Sequence, residues 1–126
     1  MKVLQVVEQG FRTLVEEQDD TILWLTRSML GAGAQLSVLL SGHAAYYAVQ
    51  QRRQPKLALG DWQQSQPAEV IRDLDALTAQ GVAVYVVRED LAERGLTNLA
   101  VRNGIEVIDR SALPGVYDAA DQVWQW

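Results

Sequence analysis

The chain has no cysteine, one histidine, three prolines and one phenylalanine among its 126 residues. The missing thiol excludes disulfides, thiolate metal sites and any reaction that starts from a cysteine nucleophile. A zinc site built on the lone His43 would need several carboxylates to converge on it, so neither a metal nor a cofactor is expected. No apolar run approaches the roughly 20 residues that cross a bilayer. Met1-Lys2 leads straight into Val3-Leu4-Gln5-Val6-Val7, too short for the apolar region of a signal peptide. The expected compartment is therefore the cytoplasm, with no membrane partner. Basic residues are also scarce, 11 Lys and Arg against 16 Asp and Glu, for a net charge of −5. Apart from Arg52, Arg53 and Lys56 they are scattered, whereas binding phosphate backbones needs a dense basic face, so nucleic acid is not expected as a partner. No Gly-x-Ser-x-Gly nucleophile elbow occurs. Gly31-Ala32-Gly33-Ala34 precedes a strand and lacks the Lys-Ser/Thr of a phosphate loop, so helix termination explains it.

What is present is ordinary for a globular protein: 48% hydrophobic and 21% charged residues. The length corresponds to a single domain spanning 1–126. A domain of this size buries roughly two-thirds of the surface its unfolded chain exposes.

Hydrophobic periodicity predicts alternating strands and helices. Val3–Val7, Leu36–Leu40, Val82–Val87 and Ile105–Ile108 read as apolar strands, the first of them central, and Val123–Trp126 as a last edge strand. Asp20 or Thr21 caps a helix carrying Ile22, Leu25, Met29 and Leu30. A second helix is expected over 44–50, a third over 68–80, and a short one over 88–94 ended by Gly95. Another, capped by Thr97, is expected around 99–101, and a brief one between Ser111 and Ala120. Residues 51–67 form the longest irregular stretch and hold Trp62. Strand-helix alternation implies right-handed crossovers and an α/β three-layer sandwich, a mostly parallel sheet of about five strands with helices on both faces. Ligands in such sheets bind beyond the carboxyl ends of the strands. Here those ends are Glu8-Gln9, Ser41-Gly42-His43 and Arg88-Glu89-Asp90.

The segment Val84-Tyr85-Val86-Val87-Arg88-Glu89-Asp90-Leu91-Ala92-Glu93-Arg94-Gly95-Leu96 resembles the strand-turn-helix of the DsrE/DsrF-like, TusD-like family of sulfur-relay proteins, which ends in Arg-Gly and an aliphatic residue. An N-terminal strand opening at Met1, a Gly-containing turn after the second strand, and a short strand with an aromatic-tipped tail extend the likeness over nearly the whole length. Sulfur-handling members of that family carry a cysteine at the end of the strand before the Arg-Gly. The matching stretch here is Val87-Arg88-Glu89, without a thiol. The resemblance thus implies the fold, the pocket location and an oligomeric habit of trimers or hexamers, and withholds the catalytic residue. Members without the cysteine are typically non-catalytic subunits or binding partners of cysteine-bearing ones.

The candidate ligand-binding residues are Gly42, His43, Arg88, Glu89 and Arg94. His43 sits at a strand end, and histidine exchanges protons near neutral pH; a capping or interface role competes. Arg88 suits an oxyanion, while Glu89 and Asp90 equally suit the first turn of a helix and would repel an anion. Arg94 and Gly95 have a structural explanation as the end of that helix. Tyr46, Tyr47 and Trp62, with Trp124 and Trp126 at the C-terminus, are interface candidates, because Tyr and Trp are enriched at interface hot spots; packing within the monomer competes.

Three functions follow. The first is a non-catalytic binding or assembly component of sulfur relay, working as a homo-oligomer or beside a cysteine-bearing DsrE-like partner. The second is a small-anion-binding protein or enzyme using His43 and Arg88. The third is a purely structural oligomer subunit. The absent thiol weighs against an enzyme.

Overall fold

In the computed structural model, which describes residues 1–126, the apolar runs pair as one parallel sheet. Its strands are β1 (Lys2–Val7), β2 (Gln35–Leu40), β5 (Ala83–Val87), β6 (Ile105–Ile108) and β7 (Gln122–Gln125), in the spatial order β6-β5-β2-β1-β7. Every neighbouring pair is parallel, with Val6 opposite Leu39, Leu40 opposite Val86, and Val87 opposite Ile108. The α/β three-layer architecture expected from the sequence is present. The central strand is β2, however, and β1 lies between it and the edge strand β7.

Because strand side chains alternate between faces, the sheet divides its apolar residues into two cores. Val38, Leu40, Val84 and Val86 face one side, where they meet Ile22 and Leu23 of α1 (Thr21–Gly31), Leu74 and Leu77 of α2 (Ile71–Ala79), and Leu91 of α3 (Arg88–Glu93). Leu4, Val6, Leu39, Val87 and Ile108 face the other, covered by Leu113, Val116 and Tyr117 of the short α4 (Leu113–Asp118). Asp20 caps α1: its Oδ1 accepts from the amides of Ile22 at 2.9 Å and Leu23 at 3.1 Å. Those donors would otherwise be left over at a helix start.

The middle of the chain departs from expectation in three places. The helix expected over 44–50 is a 3-10 helix that begins earlier, over Gly42–Ala48. Around residues 99–101 there is no helix; Val101 instead forms an antiparallel bridge with Val49, tying the loop after α3 to the end of the 3-10 helix. The irregular stretch contains a small hairpin, β3 (Ala58–Leu59) against β4 (Trp62–Gln63), turning at Gly60-Asp61 with Gly60 at φ 58°.

Candidate functional site

The strand order places one cleft at the carboxyl ends. The segment after β5 goes to α3 on one face of the sheet, while the segment after β6 goes to α4 on the opposite face. Divergence of neighbouring connections opens a crevice at such a point. A cavity of about 460 Å³ lies there, and Gly42, His43, Asp90, Arg110 and Tyr117 are among the residues that line it.

Gly42 is required by geometry. Its φ is +54°, and a Cβ there would come within 3.1 Å of the Glu8 carbonyl oxygen. This close approach lets the chain leaving β2 fold across the end of β1, where the Ala44 amide donates to the Glu8 carbonyl at 3.2 Å. The Gly42 amide then points at Asp90, donating to its Oδ2 at 2.9 Å. The other oxygen of Asp90 accepts from Arg110 Nη2 at 3.0 Å. Asp90 is buried, at 8% exposure. Its charge is offset by these two donors, as a buried charge requires. The backbone amide and guanidinium, a donor set suited to an external anion, are thus engaged by a carboxylate of the chain itself.

The structure separates the residues grouped from the sequence. Gly42 and His43 line the cleft, and His43 is exposed. Arg88 does not line it, which corrects the expectation that Arg88 and His43 act together: its Nε donates to Asp109 Oδ1 at 2.8 Å on the surface. Glu89 accepts the Arg110 backbone amide with both carboxylate oxygens, at 3.0 and 2.9 Å, and so fixes the turn that follows β6. Arg94 Nη1 donates to the Asp90 carbonyl at 3.1 Å and ties down the end of α3, a structural role.

Arg110 and Tyr117 are cleft residues that sequence reasoning missed, and Arg110 is the one that binds Asp90. A signal existed: Asp109-Arg110 follows strand Ile105–Ile108 and satisfies the same strand-end rule that selected Gly42 and Arg88.

The aromatic candidates also divide. Tyr46, Trp62 and Trp124 are 36–40% exposed, so they are open to a partner. Tyr47 is not: it is fully buried, which overturns its selection as an interface residue. The 3-10 helix turns its side chain inward, where the hydroxyl donates to Asp20 and accepts from the Phe11 amide. Trp126 is partly buried against the α1 side of the sheet; its Nε1 donates to the buried Gln5 Oε1 at 2.7 Å, and its ring meets Trp124 edge-on at 6.4 Å.

No group of His, Asp and Glu side chains is arranged to hold a metal ion, and no helix is long and apolar enough to cross a membrane.

No protein-family model and no curated protein matches the sequence. Among solved structures, the ychN protein from E. coli is similar, with a TM-score of 0.74 and 19% identity over 100% of both chains. It is a protein of the DsrE/DsrF-like family, and a likeness of this extent at this identity shows a common fold.

Proposed function

We propose that this chain is a non-catalytic protein of the DsrE-like fold, acting in the cytoplasm as a binding or assembly component of sulfur relay. The observation that carries this reading is the state of the strand-end cleft. The chain has no cysteine, and the stretch that the resemblance sets at the family's thiol position is Val87-Arg88-Glu89. Beside it, Asp90 is hydrogen-bonded to Gly42 and Arg110. A cleft with its donors committed to an internal carboxylate, and without a nucleophile, suits a structural subunit better than a sulfur carrier.

Assembly is the second part of the reading. β7 is an edge strand whose four residues are all exposed, with Val123 and Trp124 among them. Unpaired edges bearing large apolar groups are natural association surfaces. The β3-β4 hairpin adds exposed Leu59 and Trp62. The partner is a second copy of the chain or a cysteine-bearing protein of the same fold.

Two measurements test this. Light scattering on the purified chain should give an oligomer, or a monomer that associates when a cysteine-bearing homologue is added. Persulfide transfer assayed with the purified chain alone should be nil; turnover of a sulfane sulfur adduct on any side chain would overturn the proposal.

A further inference from the structure

A second cleft lies away from the strand ends, between the irregular stretch and the start of α2. Its volume is about 470 Å³, within the roughly 300–1,000 Å³ range of small-molecule sites. Four guanidiniums line it, those of Arg52, Arg53, Arg72 and Arg102, against two carboxylates, Glu69 and Asp75. Arg53 lies against Glu69, Arg72 is held by Asp19 at 2.6 Å with Glu69 at 3.9 Å, and Arg102 binds Asp75 through Nε at 3.1 Å and Nη2 at 2.5 Å. Arg52 has no acidic partner and is exposed. The unpaired positive charge of the cleft is therefore that of Arg52, within a chain of net charge −5.

The strap that brings Arg52 and Arg53 to the rim supplies more donors. The backbone N–H groups of residues 51–54, all of which line the cleft, donate to no protein atom. Free amides beside guanidiniums are the donor set that phosphate oxygens take up.

The remaining wall is apolar and includes Phe11, Val70 and Ile71. Phe11 is the only phenylalanine of the chain and stands 48% exposed. Its backbone is held at φ 59°, an uncommon conformation for a bulky residue. The Tyr47 hydroxyl accepts its amide, and the Tyr47 ring supports it edge-on at 5.0 Å. An aromatic ring fixed at a cleft wall offers a stacking face for a flat group.

From this juxtaposition we infer that the cleft binds a small molecule joining a phosphate to a planar ring, a mononucleotide being the simplest of that build. The phosphate meets Arg52, Arg53 and the strap amides, and the ring lies against Phe11. A bare phosphate is too small to use both walls. The inference is independent of the assembly role, since none of these residues belongs to β7, to the β3-β4 hairpin or to the strand-end cleft.

Calorimetry on the full chain with each of four ribonucleoside monophosphates, with inorganic phosphate and with the matching nucleosides tests it. At least one monophosphate should bind ten times or more tightly than its nucleoside and than phosphate. Arg52→Gln should weaken that binding fivefold or more with no change in melting temperature, because Arg52 holds nothing else in the fold. Phe11→Leu should remove the advantage of the nucleotide over phosphate. Absence of heat with every monophosphate at millimolar concentration, or affinity unchanged in both variants, would overturn the inference.

Discussion

The Tyr47 hydroxyl donates to Asp20 Oδ2 at 2.6 Å across 27 positions of sequence, and the same carboxylate caps α1 through its other oxygen. One buried aspartate thereby joins the 3-10 helix after β2 to the first turn of the helix before it. Its Oδ2 also accepts the Arg12 amide at 3.2 Å, so the loop after β1 is anchored at the same point.

Removing the hydroxyl tests this joint. Tyr47→Phe keeps the ring but deletes the hydrogen bond to the charged Asp20 and the acceptor of the Phe11 amide, which together should cost about 1.5–3 kcal/mol or more in urea unfolding. Burial first, and the hydrogen bond to Asp20 second, hold the Tyr47 pKa well above that of a free phenol. The folded state therefore keeps a proton that the unfolded chain gives up. The stabilisation is complete below about pH 10, the unfolded value, and declines as pH rises beyond it. The stability gap between wild type and Tyr47→Phe should narrow above that pH.

Asp73 gives a pH dependence at the other end of the scale. It is buried on α2; Oδ1 accepts from Arg27 Nη1 at 3.0 Å, and Oδ2 is buried without a partner. Burial, opposed by Arg27 and reinforced by the neighbouring Asp19, raises its pKa. An acid whose folded pKa is raised contributes most below its unfolded pKa, and that contribution is lost as pH rises through the folded value. Asp73→Asn, which never ionises and brings an amide donor, should therefore be more stable than wild type at pH 7. The gain should be about 1 kcal/mol, the net worth of one hydrogen bond. Melting temperatures measured from pH 7 down to pH 4 should show that advantage shrinking. An advantage that stays constant would mean that Asp73 does not titrate in this range.

At the strand ends, Asp90→Ala releases the Gly42 amide and the Arg110 guanidinium together. The loss should be about 1.5–3 kcal/mol, the worth of a hydrogen bond to a charged group. The vacated position then has the donors of an anion site. Sulfate should raise the melting temperature of Asp90→Ala more than that of wild type, with sodium chloride at equal ionic strength as the control. Equal shifts would show that Asp90 does not occupy an anion's place.

How far the sequence reveals these arrangements depends on their range. The strands were legible because Val3–Val7, Leu36–Leu40 and Val82–Val87 are apolar runs bounded by turns, and period and length are local signals. The cap at Asp20 was equally local. The Gly60-Asp61 hairpin was legible in principle from a short Gly-Asp turn signal, but residues 51–67 carry little strand propensity around it. The Asp90–Arg110 pair joins positions 20 apart and the Tyr47–Asp20 pair 27 apart. No periodicity records such contacts. Tyr46 and Tyr47 are equally aromatic and equally suited to an interface by residue type, and only the 3-10 geometry decides which of the two turns inward.

The C-terminal strand supplies the last prediction. Gln5 is fully buried in β1, an unusual place for an amide. Its Oε1 accepts from Trp126 Nε1 at 2.7 Å, while its Nε2 has only the weak acceptor Met29 Sδ at 3.4 Å. The indole therefore both satisfies a buried acceptor and holds the end of the chain, whose Trp126 amide donates to the Val6 carbonyl at 3.0 Å. Trp126→Phe keeps an aromatic ring but strands the Gln5 oxygen, at a cost of about 1–3 kcal/mol. Gln5→Leu removes the stranded group, so the double variant should recover much of that loss. A coupling energy of about 1 kcal/mol or more in a cycle of urea denaturations is expected for groups in contact. Strict additivity would mean that the indole stabilises β7 through packing alone.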